Sequence, residues 1–233
     1  MSINDFHYNP EVYHTESAKK VVPLLIEKFH PVSVIDIGCG NAGWLKIFMD
    51  NGILDVIGVD GPWVHADSLM ISTENFLSCD LEQPLELNRK FDLALCLETA
   101  EHLDEKFAPA LIHSLTTVSD RIIFSAAVPG QPGDGHINLK NPDYWSKLFR
   151  KQGYHTYDMI RPLIWDDNDI HWWYRQNIFV ATRQAISGFS DEEIPLLIHP
   201  GLIQLKNELA AFQKKEQKNS PSLFKKIMNR LFK

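Results

Sequence analysis

The stretch Val34-Ile35-Asp36-Ile37-Gly38-Cys39-Gly40-Asn41-Ala42-Gly43-Trp44 decides the fold. Val32 to Ile37 is a short apolar, β-branched run, the pattern of a buried parallel strand. Gly38 and Gly40 permit a sharp turn and a close backbone approach to a ligand. From Ala42 to Met49 the period becomes helical, with Trp44, Leu45 and Phe48 on one face. The unit is strand, glycine turn, helix. Its helix N-terminus offers unpaired N–H groups to an anionic or polar ligand.

Gly38-x-Gly40-x-x-Gly43 fits a dinucleotide fingerprint, and Asp60 ends the next strand where a carboxylate can accept both hydroxyls of a ribose. Asp36, two residues ahead of the first glycine, points to a ligand that also carries an ammonium group. NAD has none, whereas S-adenosylmethionine (SAM) has one. The segment Val34 to Gly40 resembles the first motif of class I SAM-dependent methyltransferases. The resemblance implies an α/β, Rossmann-like sheet of seven mostly parallel strands in the order 3-2-1-4-5-7-6, with helices on both faces. It also implies that an acidic residue after the third strand takes the adenine amino group beside an apolar neighbour, here Asp80 and Leu81. With Asp36, Gly38, Gly40 and Asp60, and the flanking Cys39, Trp44, Gly61 and Leu97, these residues make the expected SAM site.

The chain has 233 residues, room for one α/β domain with extra helices. Its net charge of −7 argues against a general nucleic-acid binder. That charge is uneven: Lys206 to Lys233 holds eight Lys/Arg and two acids, so the tail is basic and the body strongly acidic. Three cysteines without metal-site spacing read as reduced thiols of a cytoplasmic protein. Met1 to Pro10 lacks an apolar signal core, and no run is long enough to span a bilayer.

Taken in order, residues 1–14 form an aromatic, His-rich arm in which Tyr8, Tyr13 and His14 either fold over the ligand or simply pack. Thr15 can cap a helix to about His30. Strands are expected at 56–60, 76–79, 91–97, 121–127, 155–159 and 177–182, with helices at 42–51, after strand four to Val118, and at 144–152. Val128 to Lys140 is a Pro/Gly-rich loop, and Arg161 to Trp173 reads as irregular. The methyltransferase domain spans 1–190, a helix follows over 191–217, and a basic amphipathic tail occupies 218–233. Leu202, Leu205, Leu209 and Phe212 offer a packing seam, with a homo-oligomer through 200–217 as one use of it. Lys218-Asn219-Ser220-Pro221 reads as a hinge. Residues 222–233 place apolar side chains on one face and Lys225, Lys226, Arg230 and Lys233 on the other, which suits a peripheral contact on the inner face of the cytoplasmic membrane or docking on protein.

Strand four runs into Glu98-Thr99-Ala100-Glu101-His102-Leu103, and catalytic groups of open α/β sheets gather outside the carboxyl ends of strands. An alcohol acceptor needs a base or a metal. His102 and His136 titrate near neutrality and can take a proton. Alternatively Glu98, Glu101 and His102 hold a divalent cation, since Glu-x-x-Glu-His is similar to the Mg2+-binding pattern of quinone-biosynthesis O-methyltransferases. Gly135-His136-Ile137-Asn138, Tyr144-Trp145, Gly153-Tyr154 and Trp172-Trp173-Tyr174-Arg175-Gln176-Asn177 resemble methyltransferases associated with bacterial surface-glycan synthesis. That resemblance implies a sugar or lipid-linked glycan hydroxyl as acceptor, with Glu98, Glu101, His102 and His136 handling the proton. A phenol or quinone acceptor, a non-catalytic SAM-binding subunit and a dehydrogenase are the rival readings.

Overall fold

The computed structural model describes residues 15–191 and 193–219. The expected arm over 1–14 and tail over 222–233 lie outside the described residues. In chain order the elements are α1 (Glu16–Phe29), β1 (Ser33–Ile37), α2 (Gly43–Asp50), β2 (Asp55–Asp60), β3 (Phe76–Ser78), β4 (Leu93–Leu97), α3 (Ala108–Val118), β5 (Arg121–Ser125), α4 (Pro142–Lys151), β6 (His155–Tyr157), α5 (Arg161–Ile164), α6 (Trp172–Asn177), β7 (Phe179–Thr182) and α7 (Pro200–Asn219).

The seven strands form one sheet in the order β3-β2-β1-β4-β5-β7-β6. The first five pair in parallel, and β7 runs antiparallel between β5 and β6. β1 and β4 are buried along their whole length, as strands covered by helices on both faces must be. One apolar layer joins α1, α2 and α5 to the sheet through Val21, Leu25, Leu45, Phe48, Ile160 and Ile164. The other joins α3 and α4 through Leu111, Leu115, Trp145 and Phe149.

Four local expectations change. Thr15 precedes α1 without a side-chain cap, its backbone already being helical. The segment expected to be irregular contains α5 and α6, two short helices that owe their form to tertiary contacts rather than to periodicity. Asn177 is therefore the last residue of a helix and not the first of a strand. Finally, α7 continues through Lys218 and Asn219, where a hinge was expected. Its seam packs on the chain's own body: Leu202, Leu205 and Phe212 are buried, and Trp172 of α6 closes over Gly201. Among the described residues, no helix is long and apolar enough to cross a membrane.

Candidate active site

The glycine turn carries β1 past its end along β2, because the N–H groups of Gly38 and Cys39 both donate to the Val59 carbonyl, at 2.8 and 3.1 Å. Gly38 (φ 83°) and Gly40 (φ 55°) take the left-handed backbone, and a Cβ on Gly38 would strike Thr99 at 2.2 Å. Ala42 shares that left-handed conformation just before α2 begins. Thr99 Oγ1 donates to the Gly38 carbonyl at 3.4 Å, so the tip of β4 is fastened to the turn.

Two buried carboxylates face this turn. Asp60 accepts from the N–H groups of Gly40 (2.7 Å) and Gly61 (2.6 Å), which offsets part of the upward push that burial gives its pKa. Asp36, 2 % exposed, has its pKa pushed up to about 7 by burial and then by the Asp60 charge. No cation is among the groups that shift either residue. Two desolvated acids with no counter-charge among the described residues fit a cationic ligand that also presents hydroxyls, and SAM is one.

The other expected SAM contacts divide. Gly61 lies under the Trp63 indole, and Trp44 meets the Tyr174 ring edge-on at 5.1 Å. Cys39 turns its Sγ against Gly58 in the core, so only its backbone stays at the turn. Leu81 and Leu97 are buried in the two apolar layers. Asp80 is solvent-exposed one strand further out, where its carboxylate accepts from the Glu82 N–H at 3.0 Å.

At the tips of β4 and β5 Glu98 and Glu101 stay in side-chain contact, but their other surroundings differ. Glu98 sits at φ 50°, a conformation disfavoured for a side chain of its kind and common at functional positions. Its N–H donates to the Ser125 carbonyl at 3.0 Å. Its half-buried carboxylate accepts from Gln131 Nε2 (3.0 Å) and Asn177 Nδ2 (3.1 and 3.3 Å). Glu101 is fully buried, and neither of its oxygens has a well-formed hydrogen bond. Burial, and next the Glu98 charge, raise its pKa well above the carboxylate range. Glu98 is also raised by burial but is opposed by side-chain hydrogen bonds with Asn177, Ser125, Gln131 and Glu101. The shared proton therefore rests on Glu101 and the charge on Glu98. Being wholly enclosed, Glu101 cannot touch an acceptor as expected from the sequence; Glu98 can.

His102 and His136 meet edge-on with ring centroids 5.0 Å apart. Burial lowers both, His102 to about 4 with the neighbouring His136 adding to the effect, so both are neutral at pH 7. His136 Nε2 lies 3.9 Å from Glu101 Oε1. Donor atoms of Glu101, His102 and His136 all fall within 4.8 Å of one another. The expected ligand set Glu98, Glu101 and His102 is not the one assembled, because amides hold the Glu98 carboxylate. One carboxylate and two imidazoles also do not fit Mg2+, which selects oxygen ligands, and no step is routed through it.

Sequence reading did not assign Gln131, Gln176, Asn177 or Tyr174 to the chemistry. An amide-rich run beside aromatics was its only signal. On the same segment His171 and Trp173 stack at 4.3 Å, both half-exposed, with Trp172 edge-on to Trp173. Trp145, in contrast, is core. Of the acids beside these tryptophans, Asp169 pairs with Lys20 at 2.8 Å.

Residues 11–159 match the family model described as "Methyltransferase domain". No curated protein matches the chain. Among solved structures, an amino pentose methyltransferase of calicheamicin biosynthesis from Micromonospora echinaspora, with SAM bound, superposes with a TM-score of 0.58 at 13% identity, over 79% of this chain and 98% of that one. Magnesium protoporphyrin IX methyltransferase from Synechocystis PCC 6803, with S-adenosylhomocysteine bound, gives 0.54 at 23% identity over 73% and 84%. The methyltransferase domain of bacterial CtHen1 gives 0.55 at 20% identity over 72% and 98%. These likenesses are of fold.

Proposed function

The chain belongs to the methyltransferase domain family, and from that premise we propose that it methylates a hydroxyl of a sugar or glycan. SAM is the donor, and when bound it supplies an electrophilic methyl group on a sulfonium. The chain's own part is to hold that cation, align the acceptor and remove its proton. Asp36 and Asp60 supply the charge and the hydroxyl acceptors at the glycine turn.

The observation that carries the reading is Glu98: a half-buried, charged carboxylate held by Gln131, whose backbone carbonyl lies 3.3 Å from the neutral His136 imidazole. Its raised pKa brings it toward that of a useful base, and its donors keep it charged. Neutral imidazoles close by can accept or relay the proton without repelling a cationic donor. The flat stack of His171 and Trp173 suits the apolar face of a sugar ring. No Asn-Pro-Pro-aromatic run of amino-methylating enzymes follows β4, which favours an oxygen acceptor. An amino pentose methyltransferase among the structural neighbours is consistent with a sugar acceptor. The basic segment 222–233 would keep the enzyme near a lipid-linked glycan.

The purified full-length protein is to be incubated with SAM and a panel of free sugars, nucleotide sugars and polyprenyl-linked glycans, with mass spectrometry of each acceptor. Addition of one methyl to a sugar hydroxyl is expected. Methylation of a polyprenyl phenol, with no sugar turned over, would overturn the reading.

A further inference from the structure

Glu98 and His136 reach the site from the ends of β4 and β5, and one buried residue touches both. Gln131, 4% exposed, sits in a turn closed by its own N–H on the Val128 carbonyl at 2.9 Å. We propose that Gln131 is the positioning residue of the methyl-transfer site, its side chain fixing the Glu98 carboxylate and its backbone carbonyl fixing the tautomer of His136. The proposal rests on the site assignment made above.

The direction of each hydrogen bond follows from one group that can only donate. The backbone N–H of His199 reaches Gln176 at 2.8 Å, so Gln176 presents its oxygen there. Its Nε2 then donates to Asn177 Oδ1 at 3.0 Å. Asn177 is left to point its Nδ2 at Gln131 Oε1 (2.9 Å) and at Glu98. With its oxygen so occupied, Gln131 must turn Nε2 to Glu98 Oε2, at 3.0 Å. The chain of amides thus starts at a fixed backbone donor and ends with NH2 groups on both carboxylate oxygens. An arrangement of donors only holds Glu98 in one orientation and in its charged form.

The same residue acts on His136 through its main chain. The Gln131 carbonyl lies 3.3 Å from His136 Nδ1 and can only accept, so Nδ1 carries the hydrogen. Nε2 is left with its lone pair. The ring packs closely on Gly133, where a Cβ would lie 2.1 Å from the imidazole. One buried amide residue therefore orders both proton-handling groups at once. A loop held by apolar contacts alone would need neither bond.

Two measurements on the full-length protein test this, the first independent of any acceptor. Nitrogen-15 NMR of histidine-labelled protein with S-adenosylhomocysteine, with His136 assigned by its loss in His136→Asn, should show the Nδ1–H form of His136. The Nε2–H form would overturn the proposal. Secondly, Gln131→Met keeps size without donors, and Gln131→Glu keeps shape but sets a like charge against Glu98. With whichever acceptor the panel identifies, both should lower kcat by about 10- to 100-fold. The KM for SAM should stay within about twofold. Wild-type kcat in Gln131→Met would show that the residue merely fills space, and would also overturn the proposal. Should both variants fail to fold, the wild-type tautomer alone decides. A failed sugar panel leaves the NMR result standing, so the two readings fail separately.

Discussion

At the tips of β1 and β2 the polar groups come from one turn and a partner 20 residues on, Gly40 and Asp60. At the tips of β4 and β5 they come from segments up to 79 residues apart, Glu98 and Asn177. The two regions also differ in charge balance. Asp36 and Asp60 are buried together, and among the described residues no cation contributes to the shift of either, which suits the positively charged donor of the proposed function. Glu98 is enclosed by donors from its own chain and needs no ligand to be oriented. On the proposed function, the first region binds the donor and the second presents a pre-oriented base to the acceptor. Mutations on the two sides should therefore separate binding from turnover.

The largest separation should come from Glu98→Gln. The amide keeps the shape of the carboxylate but neither accepts a proton at neutral pH nor matches donors on both sides. Turnover is expected to fall by about 10²- to 10⁴-fold. Calorimetry should find the affinity for SAM unchanged, because Glu98 lies outside the glycine turn. A parallel loss of SAM binding would mean that the two regions are one. Glu101→Gln is the control: fully buried and already protonated, Glu101 should lose far less activity on becoming an amide.

How legible each region was in the sequence follows from the same contrast. Strand order and the glycine turn could be read because they rest on local periodicity and on residues within one short run. Asp36, Gly38, Gly40 and Asp60 come together as that pattern implies. The site around Glu98 was legible only in part. Glu98, His102 and His136 could be picked out by position after strands. That Glu98 takes Gln131 and Asn177 as its amide donors depends on contacts between distant loops, which no spacing encodes. α6 was missed for a related reason: six residues of aromatics and amides have no helical period, and packing against α7 and β5 makes the helix. Cys39 shows the converse error, a residue in the right turn whose side chain faces the core.

Asp36→Asn probes the binding region and should have two effects of opposite sign. Without the charge, SAM should bind about 100-fold more weakly, as loss of a buried charged contact of roughly 3 kcal/mol implies. The fold, by contrast, should gain. Burial raises the Asp36 pKa from 3.8 to about 7, so the native state holds this proton more tightly than the unfolded chain does. Between those two values the native state binds more protons, and stability falls as pH rises. Above about 7 the loss is complete, with an upper bound of roughly 4 kcal/mol. Thermal denaturation without ligand should therefore show wild type losing stability from pH 5 to pH 8 relative to Asp36→Asn. SAM should erase the difference, and its affinity for wild type should rise through that range as Asp36 ionises. A pH-independent gap between the two proteins would refute the buried charge.

The smallest effect, and the most direct probe of the boundary, is expected for Tyr174→Phe. Tyr174 is on α6, three residues before Asn177, which places both side chains on one helical face. Asn177 holds Glu98, while the Tyr174 ring meets Trp44 of α2 beside the glycine turn. Burial and next the Glu98 charge push its hydroxyl pKa well above the ordinary phenol value, with Asp36 also contributing, so the phenol stands within reach of both regions and stays protonated. Phenylalanine keeps the ring contact and removes only the hydroxyl. Loss of one ordinary hydrogen bond is worth about 0.5–1.5 kcal/mol, or a change of roughly 2- to 10-fold. Because the ring still spaces α6 from α2, that change should appear in KM for SAM and for the acceptor together, with kcat nearly constant. A change confined to SAM would assign Tyr174 to the binding region, and one confined to kcat would assign it to the Glu98 region. Only the shared effect fits a residue that joins the glycine-turn region to the Glu98 region.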